Sequence, residues 1–477
     1  MERVLTALEM QQADKYTMEK LGIPQAVLVE RAGSVVAEEI LKRLSGGKVL
    51  VCIGKGNNGA DGRVIYQKLI ERGFNVQLFE AFKGDFTAFN QKFDVIVDCI
   101  FGVGLNRKVE GDYAKAIELI NNSGAFIVAC DIASGLNSDN GMVEGVCVKA
   151  NLTVAIQDFK LGHFLGDGID FSGEVIARDI GISSEKDDFI KIIDKNAVKD
   201  CFSKPKRNVH KGCFGKCAVI GGSRDYSGSV VLSANALSSF KMGVGYVNLA
   251  VPKSMFSSYV GKVPEVILTP IKDRRGKMVL DKTALNKLLN YDAIAIGMGM
   301  GVSKGGYKLI KFLIENYQGK LLIDADGINC LATYGSEILS KKRCQIVLTP
   351  HVKEFERLSG VKKEEILKNP IKIVSDFVRH NDVCVLLKGA VSIIADRNEC
   401  YINKTGTSGM AKGGSGDVLS GFAVGLLGRC EDVAKTMAVA SYLFGRAGEI
   451  ASQKQTDFCM TPSDIVSALP EVVSEGF

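Results

Sequence analysis

The sequence predicts an α/β protein in two halves, each a parallel sheet covered by helices. Short β-branched runs alternate with longer helix-period segments along the chain, the pattern left by strand–helix–strand crossovers. Most of those runs stop at polar, glycine-bearing loops, where ligands collect at the carboxyl edge of such sheets. A length of 477 residues also exceeds one ordinary core and points to two or three domains.

In chain order, the first half offers strands at Val49–Ile53, Val76–Phe79, Val95–Phe101, Phe126–Ile132 and Leu152–Ile156. From Arg178 to Lys211 the pattern turns charged and irregular. Lys204-Pro205-Lys206-Arg207 reads there as a solvated linker, so the seam is placed near residue 205 and the domains at 1–204 and 205–477. The second half restarts with a strand at Cys217–Gly221, the turn GGSRDYSG and a helix from Ser229. Strands follow at Tyr246–Ala250, Ala293–Ile296, Leu321–Asp324, Ile346–Leu348 and Val383–Leu387. Val391–Ala395 and Glu399–Ile402, separated by Asp396-Arg397-Asn398, form a hairpin. The turns GMGMG, DADGIN, TPHVKEF and KGAVS follow most of these strands, so the polar ends line one edge.

Composition narrows the partners. A formal charge of +6 is small for this size, and no basic run is interleaved with aromatics, so nucleic acid is not an expected partner and anionic small molecules fit better. Thirteen scattered cysteines without a CxxC pair, and only four histidines, give neither a disulfide framework nor a zinc site and fit a reducing cytoplasm. No apolar run approaches the roughly 20 residues of a membrane span, and the charged N-terminus is no export signal.

Two loops carry chemistry. In GTSGMAKGGSGDVLSG, residues 406–421, glycines let backbone N–H groups converge on an anion, and a helix starting just after Asp417 adds its positive end. Asp417 then stands where phosphate binds, which suits a group that takes a proton from a hydroxyl, orients water or holds a cation; a plain helix cap is the alternative. In the first half Gly54, Gly56 and Gly59 satisfy GxGxxG, with Glu80 roughly where a ribose-binding carboxylate would sit. The asparagines between the glycines, and Asp61 beyond them, depart from an ordinary dinucleotide site. Asp98 and Asp131 end two further strands, so in a doubly wound sheet Asn58, Asp98 and Ser134 can meet around a cation while Asp131 faces the ligand. Strand-terminal aspartates also cap helices, which is the competing reading.

These residues reach a family. Ile23-Pro24, Glu30-Arg31-Ala32-Gly33, NNGAD, VDCIFGVGL and DIASGLNSDNG resemble the NAD(P)H-hydrate epimerase (YjeF N-terminal) domain over residues 1 to about 200, with no motif position missing. The resemblance implies a Rossmann-like three-layer domain that interconverts R and S forms of hydrated NADH and NADPH. It implies substrate contacts at Asn57, Asn58, Gly59, Ala60, Asp61, at Gly102, Val103, Gly104, Leu105, Asn106, Arg107 and Lys108, and at Asp131. Asn58, Asp98 and Ser134 would then hold a potassium ion (K+). Inverting a carbon that bears a hydroxyl beside a ring nitrogen needs proton management, which makes Asp131 the candidate acid/base.

The second half resembles the ADP/ATP-dependent NAD(P)H-hydrate dehydratases of the ribokinase-like superfamily. The resemblance runs through His210-Lys211-Gly212, the GGS-x-x-YSG turn, Leu348-Thr349-Pro350-His351, Lys388-Gly389-Ala390 and NKTGTSGMAKGGSGD, over about 205–477. It implies that Lys388, Gly389, Ala390, Val391, Ser392 and Gly416 line the nucleotide, while Ser229, Gly299, His351 and Asp417 face the hydrate. Ser229 stands where relatives carry a small alanine. ADP, with ATP as the alternative, is the expected co-substrate, with magnesium (Mg2+) near Asp324 and Asp326 unless these cap the next helix. Hydroxide leaves poorly, so a phosphoryl group on its oxygen lets it depart as phosphate, with Asp417 taking the hydroxyl proton. A homo-oligomer is the expected assembly. The rival reading is a vitamin or sugar kinase joined to a noncatalytic binding module, since the same fold serves those too.

Overall fold

The computed structural model describes residues 1–44, 46–186, 189–202, 206–238 and 243–475. Two of the residues of the expected basic linker, Lys204 and Pro205, lie outside that set. The chain forms two compact units, one of Glu2–Ile190 with Leu367–Asn369, the other of Lys191–Ile366 and Pro370–Phe477 together with Met1. No described helix is long and apolar enough to cross a membrane.

In the N-terminal unit six parallel strands lie in the order Asn75–Glu80, Lys48–Ile53, Val95–Cys99, Phe126–Cys130, Leu152–Ile156, Glu174–Arg178. Strand side chains alternate between faces, and the burial follows that period. Val49, Val51 and Ile53 join one apolar cluster with Val36 and Ile40 of helix Gln25–Arg43 and Ile65 and Leu69 of helix Asn57–Glu71. Leu50 and Cys52 join the other, with Ile117 and Ile120 of helix Gly111–Asn121. Three layers result, as the doubly wound reading requires. Each fully buried aliphatic side chain here contributes about 1.5–3 kcal/mol. The strand order reverses between Lys48–Ile53 and Val95–Cys99, which opens a crevice at their carboxyl ends.

Two strands end earlier than the sequence suggests. Val95–Cys99 stops before Phe101, and Phe126–Cys130 stops at Asp131, whose φ of 68° puts it in the left-handed region and turns the chain out of the sheet. The short strands Glu2–Leu5 and Phe159–Lys160, which pair in parallel, and the half-buried edge strand Glu174–Arg178 have no run long or apolar enough to announce them.

In the C-terminal unit seven strands run parallel in the order Ile267–Ile271, Tyr246–Pro252, Lys216–Ile220, Ala293–Ile296, Lys320–Ile323, Gln345–Leu348, Cys384–Leu387. Ser392–Ala395 and Cys400–Asn403 then add antiparallel, as the hairpin signal predicts. The order reverses between Lys216–Ile220 and Ala293–Ile296; Ser229 lies in the first turn of the helix that follows the first of these strands, Ser227–Ser238, and Gly299 in the loop that follows the second. Helix Ser415–Leu427 is buried along most of its length. Gly421 allows this, because a Cβ there would lie 2.2 Å from the Ser233 carbonyl oxygen of helix Ser227–Ser238.

Candidate active sites

The glycine fingerprint of the N-terminal unit works through close approach. A Cβ on Gly54 would lie 2.0 Å from the Ile100 carbonyl oxygen, and one on Gly59 2.1 Å from the Gly54 carbonyl oxygen. Gly56 meets nothing within 4 Å and opens onto a cavity of about 650 Å³. The first and third glycines therefore let backbone pack on backbone, and the second leaves room for a ligand. Gly59→Ala is expected to destabilise this unit by about 1–3 kcal/mol or more. Chemical denaturation checks it.

Asn57, Asn58, Asp61, Gly102 to Arg107 and Asp131 all line that cavity. Gly59, Ala60 and Lys108 do not. Gly59 and Ala60 turn into the first helical turn, donating to the Gly56 carbonyl, and Lys108 pairs with Glu110 at 3.1 Å. Glu80 does not take the ribose position its spacing suggests: it pairs with Arg63 at 2.7 Å and with Lys83, outside the cavity lining.

Asn58, Asp98 and Ser134 do come together. Asp98 is 0% exposed, and its carboxylate accepts from the Ser134 hydroxyl at 2.6 Å and the Ser134 N–H at 2.8 Å. Asn58 Nδ2 donates to the carbonyls of Phe101 and Cys130 at 2.7 and 3.2 Å. Neither Asp98 nor Asp131 caps a helix. No lysine or arginine among the described residues pairs with Asp98, and burial pushes its carboxyl up to about 6 against the pull of Ser134. Asn58 Oδ1 is buried with no donor among the described residues. A buried carboxylate lacking a counter-ion beside an orphaned amide oxygen is an all-oxygen set that fits a hard monovalent cation.

Around Asp131 the structure adds residues that the sequence did not single out. Lys160 is 0% exposed; its ammonium pairs with Asp131 Oδ1 and donates to the Ile156 carbonyl at 2.7 Å. His163 Nδ1 accepts from the Lys160 N–H at 3.1 Å, so its Nε2 donates to the Asp131 carbonyl at 2.8 Å. Burial, then the Lys160 charge, push His163 down to about 4, which keeps it neutral in that tautomer. Asp14, on helix Ala7–Glu19, joins Asp61, Asp131 and Lys160 in the cavity lining. No local pattern marks Lys160, because the segment after Leu152–Ile156, QDFKLGHFL, mixes polar and apolar residues.

In the C-terminal unit helix Ser415–Leu427 starts two residues before Asp417, not after it, because Gly414 at φ 98° makes the turn. Asp417 is thus inside the first turn and is not the cap. Among the described residues no backbone carbonyl accepts from the Gly416 or Asp417 N–H and the Ser415 hydroxyl is buried without a partner, a set of donors that suits an anion. Burial and the Asp324 charge raise the Asp417 carboxyl to about 6, while a hydrogen bond from Ser229 and the Lys388 charge draw it down.

Beside it, Lys388 Nζ pairs with Asp324 Oδ1 at 2.8 Å, and the Ser420 hydroxyl donates to Asp324 Oδ2 at 2.7 Å. A Cβ on Gly416 would sit 3.3 Å from Lys388 Nζ, and one on Gly299 2.9 Å from Ser229 Cβ. Ser229, Gly299, Asp324, Lys388, Gly416 and Asp417 therefore form one cluster. Gly389 and Ala390 are an exposed turn, and Val391 leads from it into the strand opened by Ser392. His351 caps helix Val352–Ser359 through Nδ1 and stays half-exposed, held next to Lys388 by the Lys388 N–H to Pro350 carbonyl bond of 2.8 Å. Asp324 does not cap helix Asp326–Tyr334, and Asp326 Oδ2 accepts from the Gly301 N–H at 2.8 Å. Among the described residues no donor reaches Asp326 Oδ1, which fits a cation held chiefly through phosphate and water.

Lys412 turns away from the anion cradle. Its ammonium donates to the carbonyls of Asp457, Phe458 and Met460 at 2.9, 3.0 and 2.6 Å, and the Asp457 carboxylate accepts from Thr407 and Ser408 at 2.6 and 3.0 Å.

Each α/β unit brings its candidate site to the topological switch point of its sheet, the place where folds of this class bind nucleotides and related ligands. The family model for NAD(P)H-hydrate dehydratase matches residues 217–471, and that for YjeF-related protein N-terminus matches 25–87 and 80–162. The bifunctional NAD(P)H-hydrate repair enzyme Nnr of Moorella thermoacetica is 32% identical, over 98% of this chain and 96% of that protein. Its counterpart in Dictyoglomus turgidum is 29% identical over 99% and 98%. Among solved structures, the ADP/ATP-dependent NAD(P)H-hydrate dehydratase of Bacillus subtilis, co-crystallised with ATP/Mg2+, superposes with a TM-score of 0.52 at 23% identity, covering 60% of this chain and 99% of that one. A ribokinase-like superfamily protein of Enterococcus faecalis does so at 0.52 and 24%, covering 60% and 96%. The C-terminal fold is ribokinase-like. The chain belongs to the bifunctional NAD(P)H-hydrate repair enzyme family, an epimerase unit joined to a dehydratase unit.

Proposed function

We propose that this chain mends hydrated NADH and NADPH in two stages: R-to-S interconversion in the N-terminal unit, then nucleotide-driven loss of water from the S form in the C-terminal unit. The epimerase is assigned to 1–204 and the dehydratase to 205–477. The observation that carries the reading is Asp417, a carboxyl raised to about 6 in the first turn of an anion-ready helix with Lys388 beside it.

ADP, with ATP as the alternative, would lie along Lys388–Ser392 with its phosphates at Gly416, and the hydrate against Ser229, Gly299, His351 and Asp417. The Bacillus subtilis dehydratase, with the same fold, was crystallised with ATP and magnesium, which supports a nucleotide here. Asp417 takes the proton of the hydrate's hydroxyl, the oxygen takes the terminal phosphoryl group, and phosphate leaves as a neighbouring ring proton is lost and the double bond reforms; ADP becomes AMP. The free N–H groups of Gly416 and Asp417 and the Ser415 hydroxyl hold the charge that develops on the transferred group. Asp326 is the residue to hold magnesium, which supplies positive charge against the phosphates. Asn58, Asp98 and Ser134 would hold potassium, which supplies charge beside the dinucleotide loop. Thirteen cysteines without a paired framework fit a reducing cytoplasm.

The test mixes the full chain with both epimers of NADH hydrate, ADP and magnesium, and follows the near-ultraviolet absorbance of the reduced dinucleotide. Complete recovery is the expected result. Recovery of half would mean an inert N-terminal unit, and no nucleotide-dependent recovery would overturn the dehydratase assignment. A stable phosphate ester of a vitamin or sugar would establish the kinase reading.

A further inference from the structure

We propose that Asp61 is the acid and Asp131 the base of one proton relay across the N-terminal cavity, with Asp14 tuning the acid. This rests on the epimerase reading. Asp14, Asp61, Asp131 and Lys160 line the same cavity. Lys160 is committed to Asp131 Oδ1 and the Ile156 carbonyl, so Asp131 Oδ2 is the oxygen left without a donor among the described residues. Asp14 and Asp61 make no hydrogen bond or ion pair to another described side chain.

Asp14, Asp61 and Asp131 share one buried ammonium, Lys160, because Lys55 and Arg107 in the same lining are exposed and screened by water, so three ionised carboxyls would leave an excess of negative charge in the desolvated part of the cavity. Burial, then the charges of Asp131 and Asp14, push Asp61 up to about 8 against the opposing pull of Lys160. Burial and Asp131 raise Asp14 to about 6. The other ionisable groups facing the cavity are Lys55, Arg107 and Tyr113, and the Cys99 and Cys130 thiols lie behind Asp61. Lys55 sits over the Phe82 ring, 5.3 Å from its centroid. Near neutrality one carboxyl of the set therefore has a proton to give and another has a lone pair to receive one, the division of labour an acid/base pair needs.

The substrate carbon bears a hydroxyl and the ring nitrogen. Asp131 takes the hydroxyl proton, the oxygen's electrons form a carbonyl, and the C–N bond breaks with its electron pair passing to nitrogen, which takes the proton of Asp61. Rotation about the adjoining C–C bond presents the other carbonyl face. Nitrogen then attacks that face and returns its proton to Asp61, while Asp131 returns the other to oxygen. Both carboxyls end as they began, and no oxidant or reductant is consumed.

The test measures R-to-S exchange of NADPH hydrate by chromatographic separation of the epimers, in the full chain without nucleotide, across pH. The wild-type rate should fall as pH rises through about 8. Asp61→Asn keeps the shape and loses the proton, and should exchange roughly 10²–10⁴-fold more slowly at little-changed KM. Asp14→Asn removes a charge that helps hold the Asp61 proton, so its alkaline limb should move to lower pH, whereas a merely structural role would lower the rate alike at every pH. Wild-type exchange by Asp61→Asn, or an unmoved limb in Asp14→Asn, overturns the proposal; should Asp61→Asn fail to fold, the limb alone decides. A wild-type chain that exchanges nothing at any pH instead overturns the epimerase reading.

Discussion

Asp417→Asn is expected to slow nucleotide-dependent dehydration of the S hydrate by roughly 10²–10⁴-fold, the usual weight of a general base. The effect should fall on kcat, with the KM for nucleotide nearly unchanged, because the N–H donors of Gly416 and Asp417 survive the change. In the wild type, kcat should drop as pH falls through about 6, where the raised carboxyl takes up its proton. A stability signature accompanies this. A carboxyl whose folded value lies above its unfolded one favours the folded state when protonated and loses that contribution as pH rises through the folded value. The ionised form is thus a cost near neutrality that asparagine removes, so the variant should melt higher near neutrality, with the difference vanishing in acid. R-to-S exchange by the same chain should be untouched. Full dehydration activity in Asp417→Asn would refute the assignment of the base.

Lys388→Met should have the largest effect on stability. Asp324 is 1% exposed, and without the ammonium 2.8 Å away its carboxylate would keep, among the described residues, only the Ser420 hydroxyl. Breaking one side of such a pair typically costs about 3–5 kcal/mol, because the remaining charge is left buried and unmatched. Denaturant titration of the full chain measures the loss. Adding Asp324→Asn should recover much of it, since the orphaned charge is then gone, although nucleotide binding should not return. If Lys388→Met alone proved neutral, the pair would be no more than a surface contact.

The site loops were legible because their chemistry is local: glycines that permit close approach, with a carboxylate or carboxamide at fixed offsets, occupy consecutive positions in 54–61 and 406–421. Asp98 with Ser134, and Ser229 with Gly299, could be matched only through an assumed sheet order, and the observed parallel registers bring both pairs together. Lys160 and Asp14 were not legible. One arrives from a two-residue strand and the other from a helix far from the fingerprint, and neither position carries a pattern that marks it. Glu80 had the right spacing for ribose but the wrong neighbours, since Arg63 one helical face away and Lys83 just beyond take its carboxylate. The helix before Asp417 began early for a backbone reason, the left-handed turn at Gly414, which hydrophobic periodicity cannot register.

The lysine that points away from the anion cradle has a consequence for how the chain can be shortened. Because Lys412, Thr407 and Ser408 are all moored to residues 457–460, the shape of the catalytic turn is written partly in the tail of the protein. Trimming the C-terminus upstream of that anchorage would free three lines at once and would also strip Ile465, Leu469 and Val472 from the core beneath the sheet, so the turn and the fold are shortened together.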